Sequence, residues 1–243
     1  MTSPEPSRDV QMQFLRPQQL EQRAKDFPVV YVPLGPIEWH GRHLPLGCDA
    51  LKAHGILCRT AERYGGVVYP PFFLHDGWTL EPLTAVLADL FQRLKNTGFR
   101  VLIGVSGHNV RGMIEMINTA LRPVLEDGTV RGIGIWEVSL SQSDECNTDH
   151  AAKWETSDML YLYPDRVDMS ALGTGALNLD MKPPSGIGGR DPRAEASAAV
   201  GERCVEIASD AIGQKARELL ADLPQEHRAF RKVAISVEHW WMV

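Results

Sequence analysis

The constraint that decides the fold is an alternation of short apolar runs with helical patterns, each joined by a few turn residues. Val29–Leu34, Val67–Phe73, Arg100–Val105 and Gly132–Ser139 read as strands. Helical stretches follow at about Asp49–Tyr64, Leu80–Asn96 and Arg111–Leu125. Strand-helix-strand rhythm with short links predicts parallel pairing, because a parallel neighbour needs a crossover long enough to hold a helix. Val101-Leu102-Ile103-Gly104-Val105 is apolar throughout rather than alternating, which is the pattern of a strand covered on both faces. The expected fold class is therefore α/β, a three-layer α/β/α sandwich with a mostly parallel central sheet.

Beyond Asp144 the rhythm changes to a polar loop, a helix near Lys153–Tyr163, a Gly/Pro-rich loop at Lys182–Pro192 and a long helix from about Arg193 to Leu220. Three segments are expected: a flexible N-terminal extension over 1–17, one domain over 18–223, and a C-terminal tail over 224–243. The adjacent Trp240 and Trp241 in that tail suit a subunit interface, so a homo-oligomer is expected. At 243 residues the chain is long enough to bury a large core.

The net charge of −6 comes without a sustained basic run, which argues against nucleic acid and for a small-molecule partner. The first residues lack the apolar stretch of a secretion signal, and no run approaches membrane-spanning length, so a cytoplasmic protein with no membrane partner is expected. Cys48, Cys58, Cys146 and Cys204 lack C-x-x-C spacing, which argues against a zinc finger and a disulfide framework. Cys48 is read as a small buried thiol.

Chemistry gathers where the strands end. Glu38-Trp39-His40-Gly41-Arg42-His43-Leu44-Pro45-Leu46-Gly47-Cys48-Asp49 follows the first strand and combines carboxylates with imidazoles, a donor set suited to Zn²⁺, Mn²⁺ or Fe²⁺. Taken alone, such residues in a polar loop are as readily solvated as ligating. Ser106-Gly107-His108-Asn109 follows the third strand, and His150 and Glu155 lie in Asp149-His150-Ala151-Ala152-Lys153-Trp154-Glu155, beyond the fourth. His108 alone is read as readily as a helix cap, and Glu155 as a first-turn carboxylate favoured by the helix dipole. In a parallel sheet the carboxyl ends of all strands share one edge, so three clusters there point to one shared metal site.

These residues resemble the creatininase (creatinine amidohydrolase) family from about Gln18 to Leu223. The resemblance is carried by Glu38, His40, Gly41, His43-Leu44-Pro45 and Asp49, by Gly107-His108, by His150 with Glu155-Thr156-Ser157, and by Gly189-Arg190-Asp191-Pro192-Arg193. It implies a hydrolase with two divalent ions per chain (Zn, Mn or Fe): Glu38, Asp49 and His108 on one, His40, Asp49 and Glu155 on the other, with Asp49 bridging. The bridge is physically reasonable, because one carboxylate can offer an oxygen to each of two ions about 3.5 Å apart. The implied reaction opens a small cyclic amide, amidine or formamide C–N bond by attack of metal-bound hydroxide. His150 is the implied proton shuttle, imidazole being the side chain that titrates near neutrality; a histidine that merely orients Glu155 is the alternative. His43 is read as structural or as a group that orients a ligand.

The chain departs from the family after His108. Two glycines and an asparagine commonly follow there, and creatininase carries a carboxylate two residues on; here the sequence is Asn109-Val110-Arg111, and Val110 cannot bind an ion. That puts creatinine itself in doubt as the substrate. Arg111 is a candidate grip for an anionic substrate group, with a solvated surface arginine as the alternative. Leu74-His75-Asp76-Gly77-Trp78-Thr79 replaces an expected Gly/Ser-rich loop, making His75 and Trp78 candidates for the pocket. Trp136 and Trp154 are candidate walls for a small planar substrate, and Trp39 a further one, with core packing as the alternative for each. Two rival functions remain: hydrolysis of a C–C bond in a cyclic diketone such as an oxidised inositol or sugar, and metal binding without turnover.

Overall fold

A computed structural model describes residues 6–231 apart from Asp76 and Trp78, together with the backbone but not the side chain of His75. Five strands, all parallel, form the central sheet: β1 (Val29–Ile37), β2 (Val67–Val68), β3 (Phe72–His75), β4 (Val101–Ser106) and β5 (Arg131–Trp136). β1 pairs with β4 on one side, and with β2 and then β3 on the other; β5 lies outside β4. The expected strand over 67–73 is thus two short strands, since Pro70 and Pro71 cannot donate to the ladder. The expected strand over 132–139 stops at Trp136, after which the chain turns.

Helices α1 (Pro17–Asp26), α3 (Leu80–Thr97) and α4 (Arg111–Leu125) cover one face, packing on Val30, Val32, Leu34 and Leu102. Helices α2 (Cys48–Tyr64), α5 (Lys153–Leu162) and α7 (Ala198–Ala221) cover the other, packing with Val29, Tyr31, Val101, Ile103 and Val105. Consecutive strand residues therefore feed opposite cores, which explains why β1 and β4 are apolar without alternation. The architecture is the three-layer α/β/α sandwich with a parallel sheet.

One expectation is corrected. The long helix over 193–220 is a short helix, α6 (Pro192–Glu195), followed by α7; Ala196 is extended, and Ser197 restarts the helix by accepting from Val200 N at 3.2 Å. The N-terminal extension packs on the sheet edge over its described part: Val10 is buried, and Gln11 bridges to Val68. At the other end Phe230 meets Phe99 edge-on, with ring centroids 5.9 Å apart. Trp240 and Trp241 lie outside the described residues.

Candidate metal centre

Strand order sets the location. From β1 the chain crosses through α2 to β2 and β3 on one side; it then returns through α3, on the opposite face, to β4 on the other side. A crevice opens where the winding reverses, beyond the carboxyl ends of β1 and β4. The ladder aligns Leu34, Ser106 and Trp136 in one row, and Glu38, His108 and Glu137 lie just past it. Two glycines let the first turn of α2 sink into this crevice. A Cβ on Gly35 would stand 2.5 Å from Asp49 Cβ, and one on Gly107 would stand 2.0 Å from Asp49 O. Asp49 is thereby held, almost fully buried, in the first turn of a helix whose dipole favours a carboxylate.

The carboxylate of Asp49 faces a different imidazole with each oxygen: Oδ1 is 3.2 Å from His40 Nε2, and Oδ2 is 3.2 Å from His108 Nδ1. Glu38 Oε1 lies 3.1 Å from His108 Nδ1 and 3.8 Å from His40 Nε2, and Glu155 Oε2 lies 3.4 Å from His40 Nε2. His40 Nδ1 is 3.3 Å from the carbonyl of Glu38, a contact that places its proton there and turns Nε2 inward. The His108 turn is fixed by Ser106 Oγ, which accepts from His108 N at 3.1 Å and donates to His108 O at 2.8 Å. Donor atoms of Glu38, Asp49 and His108 cluster closely enough to hold one ion, as do those of Glu38, His40 and His150 and those of His40, Cys48 and Glu155.

The protein atoms alone leave this site unfinished. Glu38 Oε1 and Asp49 Oδ2 are both buried and converge on the single nitrogen His108 Nδ1, at 3.1 and 3.2 Å, which has one proton at most for two carboxylate oxygens; a cation would satisfy both. The electrostatics agree. Burial pushes the His40 imidazole down, but its hydrogen bond with Asp49 and the charges of Glu155, Asp49 and Glu38 outweigh burial and hold it at about 9. His108 is likewise opposed by burial yet held at about 10 by Asp49 and Glu38. Burial pushes the Asp49 carboxyl up, but the two imidazoles hold it well below the usual carboxylate range. Such carboxylates are built to face positive charge.

His150 lies at the mouth. Its ring stands 4.5 Å from that of His40, its Nε2 is 2.9 Å from the carbonyl of Trp39, and its Nδ1 is 3.7 Å from Glu38 Oε1. Antiparallel hydrogen bonds to Gly188 hold its backbone: His150 N to Gly188 O at 3.0 Å, and Gly188 N to His150 O at 2.7 Å. A cleft of about 380 Å³ opens beside it, lined by Glu38, Trp39, His150, Met181, Pro183, Pro184 and Gly186. Trp39 Nε1 donates to Ser185 O at 3.1 Å, tying the Met181–Gly186 segment over the cleft.

Arg111 is not in the cluster: its side chain is 88% exposed and pairs with Glu115 at 2.7 Å, one turn along α4. Trp154 packs against the core beneath α5, with Lys153 Nζ 4.0 Å from its ring, and so does not wall the cleft. Trp136 ends β5 with its Nε1 enclosed and unpartnered among the described residues. His75 ends β3 beside Ile37, and Trp78 lies outside the described residues. His43 Nε2 is 2.9 Å from Thr156 Oγ1; burial, with His40 nearby, lowers His43 to about 4.

Sequence reasoning missed Lys52 and Glu137. Lys52 Nζ, with no exposure, lies 2.6 Å from Glu155 Oε1 and 2.9 Å from Glu137 Oε1. The signals were present: Lys52 lies one turn after Asp49 on the inward face of α2, and Glu137 follows β5 at the same sheet edge as the ligand clusters.

Comparison with known proteins agrees with this architecture. The creatininase family model (creatinine amidohydrolase) matches residues 13–216. A creatinine amidohydrolase of Pseudomonas putida is 28% identical over 176 residues, which span 58% of this chain and 66% of that protein. A mycofactocin precursor peptide peptidase of Mycolicibacterium smegmatis is 31% identical over 156 residues, 58% of this chain and 60% of that protein. The chain thus spans 66% or less of the length of these two curated relatives. A manganese creatininase structure superposes with a TM-score of 0.67 at 26% identity, covering 86% of this chain and 98% of that one. A mutant creatininase of Zn-Zn type gives 0.67 at 25% identity, covering 86% and 97%. Matched by the family over most of its length and sharing the creatininase fold, the chain belongs to the creatininase family.

Proposed function

We propose that this chain is a divalent-metal-dependent amidohydrolase with two ion positions, opening a C–N bond in a small cyclic amide, amidine or formamide. The observation that carries the reading is Asp49, whose two carboxylate oxygens each face a separate imidazole at 3.2 Å. The buried oxygens of Glu38 and Asp49 that converge on His108 Nδ1 fit the same donor set. Glu38, Asp49 and His108 would hold one ion, and His40, Asp49 and Glu155 the other. Bound ions would supply Lewis-acid charge, polarising the scissile carbonyl and acidifying a water at neutral pH.

The protein's own groups supply the rest. His150 Nε2 donates to the Trp39 carbonyl, which fixes the tautomer and leaves the Nδ1 lone pair facing the cluster. From there it can take a proton at Nδ1 from an attacking water and return it to the leaving nitrogen. Met181, Pro183 and Pro184 form an exposed, largely apolar rim to the cleft. A cleft of about 380 Å³ suits a small molecule.

The relatives favour C–N chemistry, since both named activities, creatinine amidohydrolase and peptide peptidase, break such bonds. No observation favours the C–C reading. The test is turnover of creatinine, formamides, short peptides and cyclic diketones by protein stripped with chelator and reloaded with Mn²⁺ or Zn²⁺. C–N hydrolysis that vanishes on stripping and returns on loading is expected. Turnover of diketones alone would refute the bond class, and ion uptake with no turnover would leave a binding protein.

A further inference from the structure

Behind the ion-facing side of Glu155 lies an ion pair that the proposed chemistry does not require. Lys52 is fully buried, and its ammonium donates to Glu155 Oε1 at 2.6 Å while standing 2.9 Å from Glu137 Oε1. A charged lysine offers no lone pair to an ion, and a cation so near a cation site works against occupancy by Coulomb repulsion. A hydrophobic side chain would fill the same space with less desolvation cost. The arrangement is explained by what it does to Glu155.

The Glu155 carboxylate is divided between two tasks. Its Oε1 is occupied by Lys52; its Oε2 accepts from Ala151 N at 2.7 Å and faces His40 Nε2 at 3.4 Å. Untethered, the terminal torsion of a glutamate is a broad, roughly two-fold rotor, able to present either oxygen or both. Glu137, buried at the carboxyl end of β5, shares the lysine's charge so that Glu155 does not carry it alone. We infer that Lys52 and Glu137 are positioning residues that lock the Glu155 carboxylate, so that only Oε2 is presented to the ion position it shares with His40 and Asp49. This rests on the two-position reading proposed above.

The test compares Mn²⁺ binding to the wild type with binding to the double variant Lys52→Met/Glu137→Gln, in which one positive and one negative charge are removed and the net charge of the cluster is kept. Glu137→Gln alone is the second variant, because it leaves Lys52 in place and touches no candidate ligand. Free Mn²⁺ is followed by its electron paramagnetic resonance signal during titration, and circular dichroism of the ion-free proteins confirms folding. The wild type should take up two ions. The double variant, if folded, should keep the first at wild-type affinity and weaken the second by about 10–100-fold, the usual cost of losing a group that orients a ligand; Glu137→Gln, which keeps the Lys52–Glu155 contact, should weaken the second ion by less. A second ion bound at wild-type affinity would overturn the inference, and so would parallel loss of both ions, which marks general damage. A wild type that takes up fewer than two ions would remove the two-position reading and this inference with it.

Discussion

Gly107→Ala tests whether the close approach of β4 to α2 builds the metal centre. The added Cβ would stand 2.0 Å from Asp49 O and 2.6 Å from its carbonyl carbon, and both are backbone atoms that cannot swing aside. Ordinary contact begins at 3.4 Å, so the strand end and the helix must part by about 1.4 Å. Overpacking of a tight interior costs roughly 1–3 kcal/mol, and a clash with backbone belongs at the upper end, about 3 kcal/mol. The same shift moves Asp49 relative to His40 and His108, each now 3.2 Å from it. Misplacement of a functional group by about 1 Å commonly costs on the order of 10²-fold in activity. Urea unfolding of the stripped protein should show the stability loss, and Mn²⁺ titration should show both ions weakened. Gly112→Ala is the control: its Cβ meets only the tip of Leu80, at 3.3 Å, and inside a helix it should be no less stable than the wild type and should bind both ions normally. If Gly107→Ala stays within about 0.5 kcal/mol of wild type and binds both ions normally, the argument from close approach is wrong.

Asp49→Ala should abolish binding of both ions at once; either ion retained at full occupancy in a metal titration would refute the bridge. His150→Ala should keep its metal content while turnover falls by about 10²–10⁴-fold, and loss of an ion would make His150 a ligand instead. In chelator, His40 at about 9 and His108 at about 10 lie above the unfolded histidine value of 6.5, so their contribution is full below pH 6.5 and is lost as pH rises through 9 and 10. Thermal melting of the stripped protein should fall across that range, and a flat profile would contradict the assignment. Loading with Mn²⁺ should release protons into a weakly buffered solution, and tighten as pH rises, because the cation displaces protons from the same imidazoles.

Much of this molecule was legible because two periodicities are strong. Apolar runs such as Val101–Val105 identify buried parallel strands, and a parallel sheet places whatever follows its strands at one edge. That logic brought Glu38, Asp49 and His108 together from separate parts of the chain. It failed where a side chain's direction, rather than its position in the chain, decides its role. Arg111 begins α4 near the edge, yet it extends into solvent to Glu115; Trp154 adjoins Glu155 but faces the core on the other side of α5. Lys52 was missed for the opposite reason: within a helix it reads as a surface residue, and only the joint burial of Glu137 and Glu155 explains its place inside. The break before α7 was hidden because Ala196 and Ser197 fit a continuous helical pattern, while the structure spends Ser197 as a cap.

The most direct test of the two-ion amidohydrolase is metal stoichiometry measured on the same samples as turnover. The stripped protein is reloaded with Mn²⁺ or Zn²⁺ in steps and analysed for bound metal and for hydrolysis of cyclic amides and formamides at each step. The account predicts that uptake ends at two ions per chain and that activity rises with loading. Saturation at one ion, or hydrolysis indifferent to metal content, would contradict it.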